Sequence, residues 1–147
     1  MLLVASSGGH LLELLELIGE HGYERRHWVT FDKPDAQVLL DGEPVTFAFS
    51  PTNRNVKNLV RNLVLAVRLI GRHRPDAVIS TGAGIAVPFL CAARLFGKRA
   101  IYVESLARID QLSLSGRLVY WIVTDFFVQW PELATRNPRS RFVGAIL

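Results

Sequence analysis

The sequence predicts an α/β fold, a Rossmann-like doubly wound parallel sheet with helices on both faces. Three observations lead there. Short runs rich in β-branched and aromatic residues alternate with segments of helical periodicity. That alternation requires parallel pairing through crossover helices. Glycine-rich turns stand where strands pass into helices. With 147 residues, 50% of them hydrophobic, the chain reads as a single domain over 1–147 around one core. No repeat, low-complexity stretch or dividing linker interrupts it.

The first strand is the apolar run MLLVA, Met1–Ala5. After the turn SSGGH, Leu11, Leu14, Leu15 and Ile18 recur at helical spacing, with Glu13, Glu16 and Glu20 on the other side and His21–Gly22 as a stop. HWVTF (His27–Phe31) is the second strand, Asp35–Leu40 a short helix and VTFAF (Val45–Phe49) the third strand. A long helix follows from Val56 to His73. Its Val56, Leu59, Val60, Leu63, Val64, Val67 and Ile70 are expected to face the sheet, leaving Lys57, Arg61, Leu65, Arg68, Leu69 and Arg72 along another face. AVIS (Ala77–Ser80), a helix over Ile85–Phe96, AIYVE (Ala100–Glu104), a helix over Ser115–Thr124 and FFVQW (Phe126–Trp130) bring the alternation to six strands.

The net charge of +4 is distributed unevenly. From Pro44 to Pro75 no residue is acidic, while Arg54, Lys57, Arg61, Arg68, Arg72 and Arg74 all fall there, a stretch suited to an anionic partner. The lone Cys91 rules out a disulfide framework. Without Cys or His pairs at ligand spacing a zinc site is not expected either, and the setting reads as reducing and cytoplasmic. Met1–Ala5 is too short for a signal peptide's core, and no stretch reaches about 18 uncharged apolar residues.

In doubly wound sheets ligands collect outside the carboxyl ends of the strands, near the reversal of strand order. Three loops there carry unusual chemistry. In SSGGH, Ser7, Gly8 and Gly9 offer backbone N–H groups at a helix mouth, a setting for an anion, although the same residues also make an ordinary capped turn. His10 stands at that mouth, where the helix dipole favours a neutral imidazole able to accept a proton; a surface or capping histidine is the alternative. STGAGIAVP (Ser80–Pro88) brings Thr81, Gly82 and Gly84. It is not the dinucleotide fingerprint, since Val87 stands where the third glycine belongs, and no GK[ST] makes a P-loop, so NAD and ATP lose their support and no cofactor is expected. Two glycine loops at one edge suit a diphosphate. In YVESLARIDQLSLSG (Tyr102–Gly116), Glu104 ends an apolar strand with Arg108 in loop reach, either as a site acid or as a simple ion pair.

SSGGH, PDAVISTGAGIAVP, YVESLARIDQLSLSGRLVY and DFFVQWPEL, in that order over essentially the whole chain, resemble the acceptor-side subunit of split glycosyltransferases. That family includes the membrane-anchoring subunit of the eukaryotic UDP-N-acetylglucosamine transferase that extends dolichyl-diphosphate-GlcNAc, and bacterial relatives in exopolysaccharide and capsule assembly. More distantly the glycine loops are similar to those of the peptidoglycan lipid-linked N-acetylglucosaminyltransferase. The resemblance implies the amino-terminal half of a GT-B enzyme, active as a heterodimer. This half would receive a polyprenyl-diphosphate-linked sugar, while a donor-binding partner chain holds most of the UDP-sugar.

On that resemblance Ser7, Gly8, Gly9, Thr81, Gly82, Gly84 and Arg108 would bind the acceptor or its diphosphate. The reaction would be inverting transfer, with His10 the favoured base and Glu104 the acceptor-orienting residue or alternative base. No metal is called for, since no DxD is present and amides and helix ends can take the leaving charge. The eukaryotic subunit begins with a membrane helix, whereas here the first strand begins at Met1. The basic helix offers a substitute, with Lys57, Arg61, Arg68 and Arg72 holding the protein peripherally on the anionic inner face of the membrane. In the tail RFVGAIL, the apolar Phe142, Val143, Ile146 and Leu147 would dock the partner or else complete the sheet. Two other readings are a self-sufficient Rossmann-type nucleotide enzyme, disfavoured by the missing fingerprint, and a basic nucleic-acid-binding module, disfavoured because most aromatics read as strand interior. The donor sugar is left open.

Overall fold

A computed structural model describes residues 1–19 and 25–146. Its elements run β1 (Leu2–Val4), α1 (Gly9–Ile18), β2 (His27–Phe31), α2 (Pro34–Leu39), β3 (Val45–Ala48), α3 (Val56–His73), β4 (Ala77–Ser80), α4 (Ala86–Leu95), β5 (Arg99–Val103), α5 (Leu114–Val119), β6 (Asp125–Val128), α6 (Pro131–Arg136) and β7 (Arg141–Phe142). Among the described residues the seven strands form one parallel sheet, in the order β3-β2-β1-β4-β5-β6-β7. This is the doubly wound sheet that the alternation of strands and helices predicts. The order reverses between β1 and β4, which pair with Leu3 opposite Ile79. The loops after these two strands therefore leave the same edge side by side.

Alternate strand residues feed two cores, as the two-residue period of a pleated strand requires. Leu2, Val4, Val29, Val78, Tyr102 and Phe126 pack beneath α3, α4, α5 and α6. Leu3, Ala5, Trp28 and Ile79 pack against α1 and α2 through Leu11, Leu14, Ile18, Ala36 and Leu40.

The structure adds a helix and a strand to the sequence reading. α6 begins with Pro131 in its first turn and Glu132 beside it, the usual signature of a helix start. β7 is only two residues long, too short to leave a periodic signal. α5 ends at Val119 rather than Thr124, because Thr124 pairs with the start of β5: its N–H donates to Ala100 O (2.8 Å) and its Oγ1 accepts from Ala100 N (3.0 Å). The expected stop at His21–Gly22 and the position of Glu20 lie outside the described residues. Gly19, in the left-handed region at φ 57°, caps α1 by donating to Leu15 O (2.9 Å).

Two helix faces differ from expectation. Glu13, placed by periodicity with the solvent-facing glutamates, is buried with Leu11 and Leu14. On α3 the register is turned: Asn58, Asn62, Ala66, Leu69 and Ile70 face inward, while Val56, Leu59, Val60, Val64 and Val67 are exposed. The asparagines go inside because the chain leaving β3 presents peptide groups that need partners. Asn62 accepts from Phe49 N and donates to Phe49 O (both 2.9 Å), and Asn58 Nδ2 donates to Pro51 O (2.8 Å). Asn55 caps the helix by accepting from Asn58 N (2.9 Å).

Candidate active site

The β1–α1 turn ends at Gly8, whose φ of 82° favours glycine and swings the chain into α1. The Gly8 N–H donates to the Asp35 carboxylate of α2 (2.7 Å), so this amide is already engaged. The first bond inside α1 runs from Leu12 N to Gly8 O (3.1 Å), which leaves the N–H groups of Gly9 and His10 pointing out of the helix mouth. Gly9 is exposed, while Ser7 and His10 are half-buried.

The β4–α4 loop locks against this turn. Thr81 is wholly buried, and its Oγ1 donates to His10 O (2.6 Å). Gly82, at φ 126°, lies so close to the His10 ring that a Cβ there would stand 3.0 Å from Cε1 and 3.2 Å from the Tyr102 hydroxyl. Gly84 approaches Thr52 in the same way, at 2.9 Å from Oγ1. Thr81 and Gly82 thus shape the site by seating His10 rather than by facing the cleft, and Gly84 lines it. His10 Nδ1 is buried and has no hydrogen-bond partner among the described residues.

Glu104, at the end of β5, has no exposed surface. Its Oε1 accepts from Ser105 N (3.1 Å) and from the Tyr102 hydroxyl (3.3 Å), and its Oε2 from Ser113 N (2.9 Å) and Ser113 Oγ (3.0 Å). Burial, then the neighbouring carboxylate, pushes the Tyr102 phenol well above its ordinary pKa, so it stays a neutral donor. Glu104 therefore braces the β5–α5 loop from beneath. A Cβ at Gly116 would collide with Glu104 Oε2, so a glycine is required at that turn of α5. The ion pair with Arg108 that the spacing allows does not form; Arg108 is exposed and lines the cleft.

These loops enclose a cleft of about 700 Å³ at the carboxyl edge of the sheet. Its lining includes the polar His10, Ser105, Arg108 and Arg54, with Gly84, and the apolar Val56, Leu59, Leu114 and Leu118. The sequence reading passed over Ser105 and Ser113; Arg54 it placed in the acid-free stretch suited to an anionic partner, without assigning it to the cleft. Sequence reasoning also gave no role to Glu13, whose Oε1 accepts from Ser105 Oγ (2.9 Å) and Leu106 N (3.2 Å).

The other expected residues lie away from the cleft. Lys57, Arg61, Arg68 and Arg72 follow one exposed side of α3, next to the exposed valines, and none forms an ion pair with a described residue. Arg61 stacks its guanidinium over Phe49, 3.8 Å from the ring centroid. Phe142 and Val143 are exposed, Ile146 is half-buried and donates its N–H to Gln129 Oε1 (2.9 Å), and Leu147 lies outside the described residues.

This combination, a Rossmann-like sheet with paired glycine loops at its reversal point, has the fold of the amino-terminal Rossmann-like half of GT-B proteins. Solved structures agree in fold. The chain superposes on MurG of Acinetobacter baumannii with a TM-score of 0.77 at 17% identity, over 98% of this chain and 45% of that one. For the UDP-GlcNAc 2-epimerase of Methanocaldococcus jannaschii the TM-score is 0.76 at 16% identity, covering 98% and 45%. The calicheamicin glycosyltransferase CalG4 gives 0.66 at 18%, covering 98% and 52%. The chain thus spans about half the length of the solved structures it matches. Within this class the family is defined by sequence. Residues 50–146 match the family described as "Oligosaccharide biosynthesis protein Alg14 like". The human UDP-N-acetylglucosamine transferase subunit ALG14 is 32% identical over all of this chain and 82% of its own length; that of Yarrowia lipolytica is 29% identical over all of this chain and 81% of its own. The chain belongs to the Alg14-like oligosaccharide biosynthesis family.

Proposed function

We propose that this chain is the acceptor-binding subunit of a two-chain inverting glycosyltransferase, adding a sugar from a UDP-sugar to a polyprenyl-diphosphate-linked saccharide. The observation that carries this reading is the cleft itself. Its lining offers His10, Arg54 and Arg108 to an anionic head, and Val56, Leu59, Leu114 and Leu118 to an apolar chain. A diphosphate attached to a lipid has both properties.

In the reaction, His10 takes the proton of the acceptor hydroxyl as that oxygen attacks the anomeric carbon; the sugar–phosphate bond breaks, and the nucleoside diphosphate leaves toward the partner subunit. Thr81 ties down the His10 backbone carbonyl, and Gly82 leaves room for the imidazole. Glu104 is too deeply buried to reach a substrate and acts by holding the loop that carries Arg108. The partner is a donor-binding glycosyltransferase chain. The protein works peripherally on the inner, cytoplasmic face of the membrane, where α3 presents adjoining valine and basic stripes to anionic lipid. No helix among the described residues is long and apolar enough to cross a membrane.

The test is transfer of radiolabelled sugar to a lipid-linked acceptor by the chain alone and by the chain coexpressed with a donor-binding partner. Turnover is expected only in the pair, reduced by about 10²–10⁴-fold in His10→Ala. Robust transfer by the chain alone would refute the two-chain reading, and a loss under about tenfold in His10→Ala would move the base elsewhere.

A further inference from the structure

We propose that Glu13 is a positioning residue of the acceptor site: its carboxylate ties the turn carrying Arg108 to the helix carrying His10, and so sets the spacing of the two groups across the cleft. The proposal rests on the glycosyl-transfer reading and deepens it. Glu13 lies one helical turn beyond His10, on the same side of α1. It is 8% exposed, in a helix whose sequence pattern would put it in solvent. Its Oε1 accepts from Ser105 Oγ (2.9 Å) and Leu106 N (3.2 Å). Those bonds seize the first two residues of a closed turn. Arg108 N donates to Ser105 O (2.9 Å), and Ala107 N donates to the same Ser105 hydroxyl (3.3 Å). Trp130 Nε1 also donates to Leu106 O (2.7 Å). Arg108 itself is exposed and makes no side-chain hydrogen bond with a described residue, so the turn sets the point from which its guanidinium reaches into the cleft.

Stability alone does not account for this arrangement. Glu13 Oε2 is buried and accepts no hydrogen bond from a described residue, so the carboxylate is kept at a cost in desolvation that an apolar side chain at the same place would avoid. What an apolar residue could not do is grip the Ser105 hydroxyl and the Leu106 amide. Misplacing a substrate-binding group by an ångström can cost on the order of 10²-fold in rate, which gives the grip its value.

The assembled complex, assayed with a UDP-sugar and a lipid-linked acceptor, tests the idea. Glu13→Ala is expected to raise KM for the acceptor by about tenfold or more with the donor KM within about twofold, and Glu13→Gln, whose amide oxygen still accepts from Ser105 and Leu106, should restore the acceptor KM to within about threefold. Trypsin cleavage after Arg108 in the full chain reads the turn without any turnover: it should quicken in Glu13→Ala and return to the wild-type rate in Glu13→Gln. If the wild-type complex transfers no sugar, the glycosyl-transfer reading fails while the cleavage experiment still decides whether Glu13 holds the turn. A folded Glu13→Ala with unchanged acceptor KM and unchanged cleavage overturns the proposal. So does a Glu13→Gln that behaves like the alanine variant. Should Glu13→Ala not fold, Ser105→Ala takes its place, and an unaltered acceptor KM and cleavage rate there overturn the proposal equally.

Discussion

A carboxylate with no exposed surface survives at the end of β5 because every direction it faces holds a donor: the Ser105 and Ser113 amides, the Ser113 hydroxyl and the Tyr102 phenol. Chemistry at the reacting sugar needs an accessible group, and of the two candidate bases only His10 lines the cleft. The two residues should therefore separate by measurement. In Glu104→Gln the amide turns an NH₂ toward donors that the carboxylate had satisfied, and the loss is expected to be about 2–4 kcal/mol. For a chain of this size that lowers Tm by roughly 5–15 °C in a thermal melt. His10→Ala removes a half-buried ring that has no hydrogen-bonded side-chain partner among the described residues, and its Tm should stay within about 3 °C of wild type. A Glu104→Gln protein that melts like wild type yet loses turnover would return Glu104 to the chemistry. The acid at the strand end was visible in the sequence, and so was the need for a hydroxyl or a backbone donor to offset its burial; which residues supply them was not, because that depends on Ser113 and Gly116 folding back over it.

The strands and most helices were legible because their patterns are local, and β2 and β4 fall at the boundaries read from sequence. The glycine loops were also legible as neighbours at one edge, once β1 and β4 pair. What was not legible is which side of α3 faces inward. Hydropathy favours the valines, but Asn58 and Asn62 satisfy the peptide groups after β3, and that demand comes from tertiary structure. The result is an outer surface with Val56, Val60, Val64 and Val67 along one strip and Lys57, Arg61, Arg68 and Arg72 along the next. Such a helix should hold anionic vesicles through both strips. Changing the four basic residues to glutamine should abolish co-sedimentation at low salt, and Val60→Ser with Val64→Ser should weaken it without altering its salt dependence. Unchanged sedimentation in both variants would place the membrane face elsewhere. The far end of α3 makes a different expectation. His73 stacks on His27 of β2, ring centroids 4.5 Å apart, and His27 Nε2 lies 2.7 Å from Thr46 Oγ1. Burial, then His73 and Arg72, hold His27 below the ordinary histidine pKa. The unfolded chain thus binds this proton first, so stability is full above about pH 6.5 and is lost as pH falls below it. Arg25, Arg26, Arg74 and Asp76 border the same recess. Melts between about pH 7.5 and 5 should show a falling Tm that flattens in His27→Gln, which keeps a partner for Thr46; an identical slope in the variant would assign the effect to other groups.

At the scale of the whole molecule the two faces of the sheet are unequally covered. α3, α4, α5 and α6 pack on one face and α1 and α2 on the other, over β1, β2 and β3. On that second face, among the described residues, the apolar side chains of β4, β5 and β6 adjoin the end of α1 and the carboxyl-terminal tail. A groove of about 280 Å³ results, lined by Leu17, Ile18, Ile79, Ile101, Val103 and Phe127, with Val143 and Ile146 as its far wall. Ile101 and Phe127 are only half-buried, although Ile79 opposite Ile101 and Val103 opposite Phe127 are buried. An apolar sheet face in this condition suits a second chain. The tail and groove together are thus the proposed seat of the donor-binding partner. Deleting Gly144–Leu147 removes one wall and the Ile146–Gln129 bond, but among its described residues Gly144 and Ala145 are exposed and Ile146 only half-buried. The truncated chain should keep its Tm within about 3 °C and lose co-purification with its partner. Ile101→Glu, which charges the floor of the groove and leaves the tail intact, should also lose the partner. If both variants fold and bring down the partner at full strength, the interface lies on another surface. If the truncated chain unfolds, the tail belongs to the core, and the groove variant alone then decides whether the exposed face is where the partner sits.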